Sequence, residues 1–406
     1  MASSTKVEVA FELTIGDTPY FRLNDPIKGK LNNTNFRLGG PIWIDITDKV
    51  SSVSVRRGKS RELERYNAGG ASVTLHNEDR TFDPLNENSP YVGNIIPRRG
   101  IRITTASYSR FTGLIEDWNL DYDVSGKSDA SIVAADAFTL LAQQSLTPGT
   151  ATPQTTGARI NEVLSMPSVA WPLQQRNIDT GSAQVGSDVW AVNDNVLTYL
   201  QKVEASEQGQ LFMDRNGNVR FVNGAVTPTS ESSSILFSDN GDGIPYVSAT
   251  VSYGTDLLFN QVYVESPLFN AGSDNVESQT VYGVTNTQVS TLLSSFNAVQ
   301  ALAQFWVAKY GEPEYRFQDL EIALEGLTGQ QQQDVLNVEL GDVVQITFTP
   351  NGIGSPISRF GQVNKIEDSI TPERHSIVFG FGSLQFSFLV LDDTGFGILD
   401  QNVLAF

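Results

Sequence analysis

The stretch SRFTGLIEDWNLDY, residues 109–122, returns in pattern near the end of the chain as SRFGQVNKIEDSITPERHSIVFGF, residues 358–381. Both copies begin with Ser-Arg-Phe, contain a glycine shortly after it, and carry an Ile-Glu-Asp step before a return strand. Alternation of apolar with polar residues is typical of strands that bury one face. The identity between the copies is low, but the shared pattern predicts two related β units in one chain.

The first β unit is predicted to span residues 42–146. Runs such as SSVSVRRG, residues 51–58, and GGASVTLHN, residues 69–77, repeat with a period of two. Glycines and prolines separate these runs, as they do between short strands. Several short strands at this spacing indicate a sandwich or a barrel. A short helix within AADAFTLLAQQ, residues 134–144, is predicted to close the unit.

A smaller α+β domain is predicted over residues 147–245. It begins with TPGTATPQTTG, residues 147–157, whose composition is typical of a connector between domains. Two helical stretches follow, and Asp194 or Asn193 is expected to cap the second one. Asn216-Gly217 then predicts the turn of a hairpin. Four apolar residues form a stripe at helical spacing in the second helix: Val196, Leu197, Leu200 and Val203.

The β pattern returns over residues 246–385, which we predict to be the second β unit. A long helical stretch over residues 286–310 is expected to be inserted in it and to end at Gly311 and Pro313. Residues 1–41 are predicted to be an N-terminal β extension and residues 386–406 a C-terminal docking tail. The fold class expected is mainly β with α+β insertions.

Composition excludes several classes of site. The chain has 406 residues, no cysteine and two histidines, so disulfides, thiolate metal sites and cysteine nucleophiles are excluded. No apolar run is long enough for a membrane span, and the N-terminus has no secretory signal pattern. The net charge is −19, and 17 of the 27 Lys and Arg lie in residues 1–127. Such a chain is poorly suited to grip nucleic acid. The acidic charge serves solubility or lines a passage that nucleic acid crosses without sticking.

The stretch HNEDRTFDP, residues 76–84, is the strongest candidate for chemistry. Its His76 and its three carboxylates could form a metal cradle or an acid/base pair, or they could belong to a turn at the exit of a strand. We expect Arg80 to form a salt bridge with Glu78 or Asp79, which would lower the pKa of that carboxyl. A lowered pKa opposes general acid catalysis, so the structural turn is favoured.

Other polar residues also have simpler explanations than chemistry. His375 is expected to be a surface or packing residue. Asp214, Asn216 and Asn218 have the spacing of a calcium loop, but they lack its distant glutamate and fit a hairpin turn. Neither a phosphate-binding glycine loop nor a G-x-S-x-G nucleophile motif occurs. We therefore predict no catalytic, cofactor or metal site.

The C-terminal end is unusually apolar. Asp392, Asp393 and Asp400 could bind calcium, but they more simply keep an apolar tail in solution. Chain ends fray unless they dock, so the tail is expected to lie on its own chain or on a partner. Four residues are predicted to bind that partner: Phe396, Leu399, Leu404 and Phe406.

With these patterns in place, the chain resembles the tail-hub proteins of long-tailed bacteriophages, also called baseplate-hub or minor tail proteins. The resemblance covers nearly the whole chain, and its motifs are structural ones. The matching stretches are GGASVTLHNEDRTFDPLNENSPY (69–91), IIPRRGIRI (95–103), RFTGLIEDWNLDY (110–122), AADAFTLLAQ (134–143), FNQVYVES (259–266), LNVELGDVVQITF (336–348) and LDDTGFGILDQNVL (391–404).

The resemblance implies two tube-like β domains and a structural, non-enzymatic role. It implies a homotrimer that closes the distal end of the tail tube and contacts the distal tail ring, tape measure, and tip or fibre proteins. DNA would pass through an acidic lumen without specific binding. The protein would be assembled in the host cytoplasm and become part of the virion. The loop 76–84 would then belong to the architecture at a subunit contact.

Two alternatives remain open at this stage. One is a distal tail ring protein, which forms a hexamer with one tube domain per chain. The other is a secreted carbohydrate-binding or glycoside-cleaving β protein, with Glu116 as the carboxylate to test. The second is prompted by five scattered tryptophans: Trp43, Trp118, Trp171, Trp190 and Trp306.

Overall fold

The structure, a computed structural model, describes residues 4–11, 30, 42–224 and 235–383. The C-terminal candidates lie outside the described residues: Asp392, Asp393, Phe396, Leu399, Asp400, Leu404 and Phe406. Most of the predicted N-terminal extension also lies outside them. Across the described ranges, every helix is too short or too polar to cross a membrane.

The first β unit is antiparallel, and its central strands follow the alternating sequence closely. In β4 (Gly70–His76), for example, Val73 and Leu75 are buried while Ser72 and His76 are exposed. A six-residue helix, α1 (Phe138–Gln143), follows the last strand. The strands are β1 (Thr5–Ala10), β2 (Ile44–Asp45), β3 (Val50–Gly58), β4 (Gly70–His76), β5 (Gly100–Thr105), β6 (Tyr108–Tyr122) and β7 (Ser128–Ala135).

The middle segment is an α+β unit, as its sequence predicts. The stretch 147–157 contains two short strands that pair with later strands of this unit. Asn195 caps the second helix by accepting from the Thr198 N–H, so the predicted caps Asp194 and Asn193 are wrong. The elements are β8 (Gly149–Ala151), β9 (Gln154–Thr155), α2 (Thr156–Leu164), β10 (Arg176–Ile178), β11 (Gln184–Val185), β12 (Asp188–Trp190), α3 (Val196–Ala205), β13 (Gln210–Met213) and β14 (Val219–Val222).

The last part of the chain returns to β structure and carries an inserted layer of three strands and two helices. The elements are β15 (Leu236–Ser238), β16 (Ser248–Tyr253), β17 (Gln261–Glu265), β18 (Asn270–Asp274), α4 (Val276–Tyr282), β19 (Asn286–Ser290), α5 (Phe296–Tyr310), β20 (Tyr315–Ala323), α6 (Gly329–Asn337), β21 (Val343–Phe348), β22 (Ile357–Ile370) and β23 (His375–Ser383).

The predicted helix over residues 286–310 begins too early. Residues Asn286–Ser290 form β19, which pairs in parallel with β17. The helix starts at Phe296 because Ser295 accepts a hydrogen bond from the Ala298 N–H and caps it. The need of β17 for a partner strand therefore overrides the helical pattern in the first part of the stretch.

The two β units share one topology. In the first, the strands lie in the order β3-β4-β7-β6-β5, and every neighbouring pair is antiparallel. In the second, the order β16-β20-β23-β22-β21 repeats this arrangement, again with antiparallel neighbours. The predicted duplication is thus present, and the fold class of mainly β with α+β insertions is confirmed.

The Ile-Glu-Asp steps of the two repeated stretches, which look equivalent in sequence, are three residues apart when the two β units are aligned by structure. In β6, Glu116 is the extra residue of a bulge opposite β7, and in β22 Asn364 is the extra residue opposite β23. These bulges make Glu116 equivalent to Asn364 and Gly113 equivalent to Gly361. Ile366, which the sequence pattern matched to Ile115, is instead equivalent to Trp118.

The two units are joined into one 13-stranded sheet because β22 also pairs with β3. One large core lies under the second unit and the α+β unit, and Phe379, Leu320 and Phe221 are fully buried in it. A second core lies inside the first unit around Ile132 and Ile101. A third and smaller core packs α5 against β17.

Candidate functional site: the junction of the two β units

The loop 76–84 is a hydrogen-bonded turn. Asn77 is fully buried, and its Oδ1 accepts from the Phe82 N–H at 2.8 Å. The Asn77 N–H donates to the Ser128 carbonyl at 2.8 Å, which ties the turn to the start of β7. Phe82 in turn stacks on Tyr91 and Trp118. Asn77 therefore builds the loop, as expected of an Asx residue at a strand exit.

The charges of this loop pair differently from the prediction. Arg80 binds Asp83, with Nη2 2.6 Å from Oδ2, so the predicted bridge to Glu78 or Asp79 is wrong. Asp79 instead binds Lys49 at 2.8 Å. That hydrogen bond, opposed by burial and supported by hydrogen bonds from Thr81, lowers the pKa of Asp79 to about 2. The direction of the shift is the predicted one, but its cause is Lys49.

The histidine of the loop is half exposed. His76 Nδ1 lies 3.8 Å from Asp129 Oδ1 and 4.0 Å from Glu78 Oε1. Within the part of the chain that the structure describes, no group of three or more His, Asp or Glu side chains could hold a metal ion. Two carboxylates of the loop, Asp79 and Asp83, are thus paired with Lys49 and Arg80, and Asn77 holds the turn.

The other candidates are engaged in local structure. Asp214 Oδ1 accepts from the backbone N–H groups of Asn216 and Asn218, which closes the β13–β14 hairpin. Glu116 accepts from Arg98 at 2.9 Å. Trp171 and Trp190 are buried in the large core, while Arg102 lies over the Trp43 ring at 4.6 Å. Trp171 and Trp190 thus share one core, while Asp214 and Glu116 are each held by these local contacts.

The two β units meet instead at a junction between β22 and β3. Six residue pairs form its antiparallel ladder, from Lys365 opposite Gly58 to Ile370 opposite Val53. At one end, Gly58 has a φ of +102°, and an added Cβ would lie 2.1 Å from the Asn364 carbonyl oxygen. The backbones approach this closely because the β22 bulge at Asn364 faces a glycine.

Below this ladder lies a buried ionic cluster. Arg110, in β6, donates from Nε to Asp368 Oδ1 at 3.0 Å and from Nη2 to Asp368 Oδ2 at 3.1 Å. It also donates to the Leu336 carbonyl. His375 Nε2 lies 2.9 Å from Asp368 Oδ1. The side chains of Arg110, Asp368 and His375 are all buried. His375 was expected to be a surface or packing residue, and it is a buried one whose ring contacts a carboxylate.

Electrostatics favour the charged form of Asp368 in this cluster. Burial alone would raise the pKa of the carboxyl, but the nearby Arg110 charge and the hydrogen bond with His375 outweigh it. The pKa of Asp368 is lowered to about 2. A buried pair with this geometry fixes the position of two elements against each other, because a lateral shift would leave a charge without a partner.

A second, half-buried carboxylate links three parts of the chain. Glu339 binds Arg57 of β3 and also Arg215 of the β13–β14 hairpin, the latter at 2.6 Å from Nε to Oε2. Burial would raise the pKa of Glu339, but the two guanidinium groups hold it below its ordinary value. The α+β unit, the first β unit and the second β unit thus meet at one carboxylate.

Glu62, in the loop after β3, connects the first β unit to α5 and to the end of β23. Glu62 lies 3.0 Å from Lys309 Nζ of α5, and it accepts from the Ser383 N–H at 3.0 Å and from the Tyr310 hydroxyl. Burial opposes ionisation of Glu62, but Lys309 and the Ser383 donors lower its pKa overall.

Sequence reasoning missed the residues of this junction, although the repeated stretches contain them. Arg110 and Asp368 both lie in the quoted copies, and both side chains are buried. A charge at an inward position of an alternating strand is the signal that could have found them.

No family model matches the chain, and no curated protein matches it. Among the solved structures that are similar to it, two also match over nearly their own whole length. The 43 kDa tail protein of prophage MuSo2 from Shewanella oneidensis has a TM-score of 0.56 and 12% identity, with 94% of this chain and 97% of that chain covered. The tail protein from Neisseria meningitidis MC58 has a TM-score of 0.59 and 10% identity, with 94% and 96% covered.

Identities this low carry information about the fold alone. The matches extend over both β units and the α+β unit, since the covered share leaves out only a few per cent of this chain. The chain therefore has the fold of phage tail proteins, and its predicted resemblance to that family is confirmed at the level of the fold.

Proposed function

We propose that the protein is a structural component of a phage tail, a homotrimeric hub that closes the distal end of the tail tube and connects it to tip proteins. The proposal is supported by the shared fold with two tail proteins. It assigns no reaction to the chain.

The single observation that carries the proposal is the duplicated sheet. Two five-stranded sheets with one strand order lie side by side in each chain. Three chains would present six similar sheets around a ring, which is what a threefold protein needs to continue a sixfold tube. A chain destined for a hexamer would need only one such sheet.

The charged clusters between the units suit this role. A hub transmits force between neighbours, so its two sheets must keep a fixed relative position. The buried Arg110–Asp368 pair and the shared carboxylate of Glu339 supply that constraint. The net charge of −19 supports an acidic lumen, in which repulsion keeps passing DNA from binding.

The two alternatives lose support from specific observations. Duplication within one chain disfavours a hexameric distal ring. For a glycoside-cleaving protein, Glu116 would have to be free to act on the substrate, but it is paired with Arg98 at 2.9 Å. The hub's proposed contacts with the distal tail ring, the tape measure and tip or fibre proteins remain those that the resemblance implies.

Mass measurement by multi-angle light scattering tests the proposal. The expected mass of the purified assembly is three times the chain mass of 44.3 kDa. A mass of six chains would favour the distal ring, and tail particles lacking the protein altogether would refute the structural role.

A further inference from the structure

The junction inside the chain supplies a template for the contact between chains. In the second β unit, the part of β22 beyond its bulge pairs with β3 of the first unit. The duplication gives each of these strands a counterpart: β6 corresponds to β22, and β16 corresponds to β3. The counterparts lie at opposite ends of the eight-stranded path from β16 to β6, so they cannot meet within one copy.

Both counterpart edges lack a second backbone partner among the described residues. Beyond its bulge, β6 pairs only with β7, over Asp117–Tyr122. On the other side, β16 pairs only with β20, over Ser248–Tyr253. An unpaired strand edge is a template for pairing with another chain, and each of these is six residues long.

The registers of the two units define which residues would face each other. The bulges make Trp118 and Tyr122 equivalent to Ile366 and Ile370. Val53 lies opposite Val73 in β4, and Ala249 lies opposite Leu320 in β20. Since Leu320 is equivalent to Val73, Ala249 is equivalent to Val53. When the ladder is transferred to the counterpart strands, it gives three inward pairs and three outward pairs. The inward pairs are Trp118 with Tyr253, Leu120 with Val251, and Tyr122 with Ala249. The outward pairs are Asp117 with Gly254, Asn119 with Ser252, and Asp121 with Thr250.

Side chains on the unpaired edges of β6 and β16 are more exposed than those at the paired junction of β22 with β3, as expected of edges that lack a partner strand. In the junction within the chain, Ile370 is 0% exposed and Arg57, the residue equivalent to Tyr253, is 5% exposed. At the free edges, Tyr122 is 50% exposed and Tyr253 is 68% exposed. Aromatic side chains at such positions lose water when a partner strand adds to the edge, and cross-strand pairs of aromatic with aliphatic residues stabilise sheets.

We propose that β6 of one copy pairs antiparallel with β16 of a second copy, Asp117–Tyr122 against residues 249–254, in the register of the β22–β3 junction. The proposal rests on the trimeric hub and deepens it by naming the surface that closes the ring. The outward pairs carry no like charges, since Asn119 meets Ser252 and Asp121 meets Thr250. Each copy then offers β6 to one neighbour and β16 to the other. The β6–β16 junctions between chains have the same strand pairing as the β22–β3 junctions within each chain.

Engineered disulfides test the register, since the natural chain has no cysteine. The variant Asp121→Cys/Thr250→Cys places two thiols at exposed, directly opposite positions of neighbouring copies. The matched control is Asp117→Cys/Thr250→Cys, in which the first thiol stays on the same face of β6 but is four residues, about 13 Å, out of register. A disulfide needs Cα atoms within about 7 Å.

After mild oxidation, denaturing gels without reductant should show about tenfold more covalent dimer and trimer for the in-register variant than for the control. Products should stop at three copies. Equal cross-linking of both variants would overturn the register. A trimer by light scattering that gives no in-register cross-link would overturn the proposed edge and leave the trimeric hub standing. A chain that stays monomeric and uncross-linked would overturn both.

Discussion

Arg110 and Asp368 lie 258 positions apart in the chain and share two charge-assisted hydrogen bonds of 3.0 and 3.1 Å in the interior. Arg110 belongs to the fourth strand of the first sheet order and Asp368 to the corresponding strand of the second. The pair therefore joins equivalent strands of two duplicated sheets. A surface ion pair would contribute little to that join, but a buried one is costly to break.

Removing one partner of this pair should be strongly destabilising. We expect Asp368→Ala to lower the free energy of unfolding by about 3–5 kcal/mol, because Arg110 is left charged and unpaired in the interior. Urea titration followed by tryptophan fluorescence measures the change. Arg374→Ala is the control, since it removes the exposed Arg374–Glu321 pair and should cost about 1 kcal/mol or less.

Replacing both partners provides the decisive comparison. The double variant Arg110→Met/Asp368→Leu leaves no charge of this pair in the interior and should recover most of the lost stability. If Asp368→Ala were no worse than Arg374→Ala, the pair could not be fixing the two sheets against each other.

Burial of a different carboxyl predicts how stability varies with pH. Burial raises the pKa of Glu204 to about 7, against the effect of its hydrogen bond from the Leu211 N–H and of the Lys59 charge. The folded pKa lies above the unfolded one, so this group's contribution is fully present below pH 4.5 and is lost as the pH rises through about 7. Stability should therefore fall between pH 5 and pH 8.

The variant Glu204→Gln isolates that effect. Its amide oxygen can still accept from the Leu211 N–H, but it carries no ionisable proton. The advantage of the variant over the natural chain should grow by about 2.5 kcal/mol from pH 5 to pH 8. Asp136, whose pKa is raised to about 7 chiefly by burial, remains in both proteins and cancels. An advantage that does not change with pH would contradict the assignment to Glu204.

The fold was largely predictable because it follows from period-two alternation, which strands with one buried face must show. The α+β unit was predictable from the stripe on α3 and from the Asn-Gly turn. Two things were not. Asn286–Ser290 carries a pattern compatible with a helix and becomes a strand only because β17 needs a partner. Arg110 pairs with Asp368 only because the two β units lie against each other, and the spacing of these residues along the chain does not predict that contact.

The register of the duplication shows the same limit. A bulge adds one residue without altering composition, so the Ile-Glu-Asp steps looked equivalent in sequence. Aligning the equivalent bulge residues Glu116 and Asn364 shows that the two steps are in fact three positions apart. The existence of the repeat could be predicted, but its residue-by-residue alignment required the ladder.

The turn at residues 76–84 should depend on Asn77 and not on its carboxylates. Asn77→Ala removes the acceptor of the buried Phe82 N–H and should cost about 1–3 kcal/mol in urea titration. Glu78→Gln changes an exposed neighbour and should leave stability within about 0.5 kcal/mol. Added Zn²⁺ or Ca²⁺ should not raise the melting temperature of the natural chain. A rise that Glu78→Gln abolishes would restore the metal hypothesis.

The close approach at the junction of the two units can be tested with a pair of glycines. Gly58 and Gly126 both have positive φ, +102° and +93°, so alanine is strained at either position. An added Cβ has nothing within 4 Å at Gly126, but at Gly58 it lies 2.1 Å from the Asn364 carbonyl oxygen. Gly126→Ala should therefore cost about 1 kcal/mol, from backbone strain alone.

Gly58→Ala carries the same strain and must also push β22 away from β3. We expect it to lower the free energy of unfolding by at least about twice as much as Gly126→Ala. Hydrogen exchange adds the location: amides of β22 beyond Asn364 should lose protection in Gly58→Ala, while those of β6 keep theirs. Equal costs for the two substitutions would mean that the β3–β22 ladder can open at this end without penalty, and the rigid union of the two sheets would then have to come from the buried charges alone.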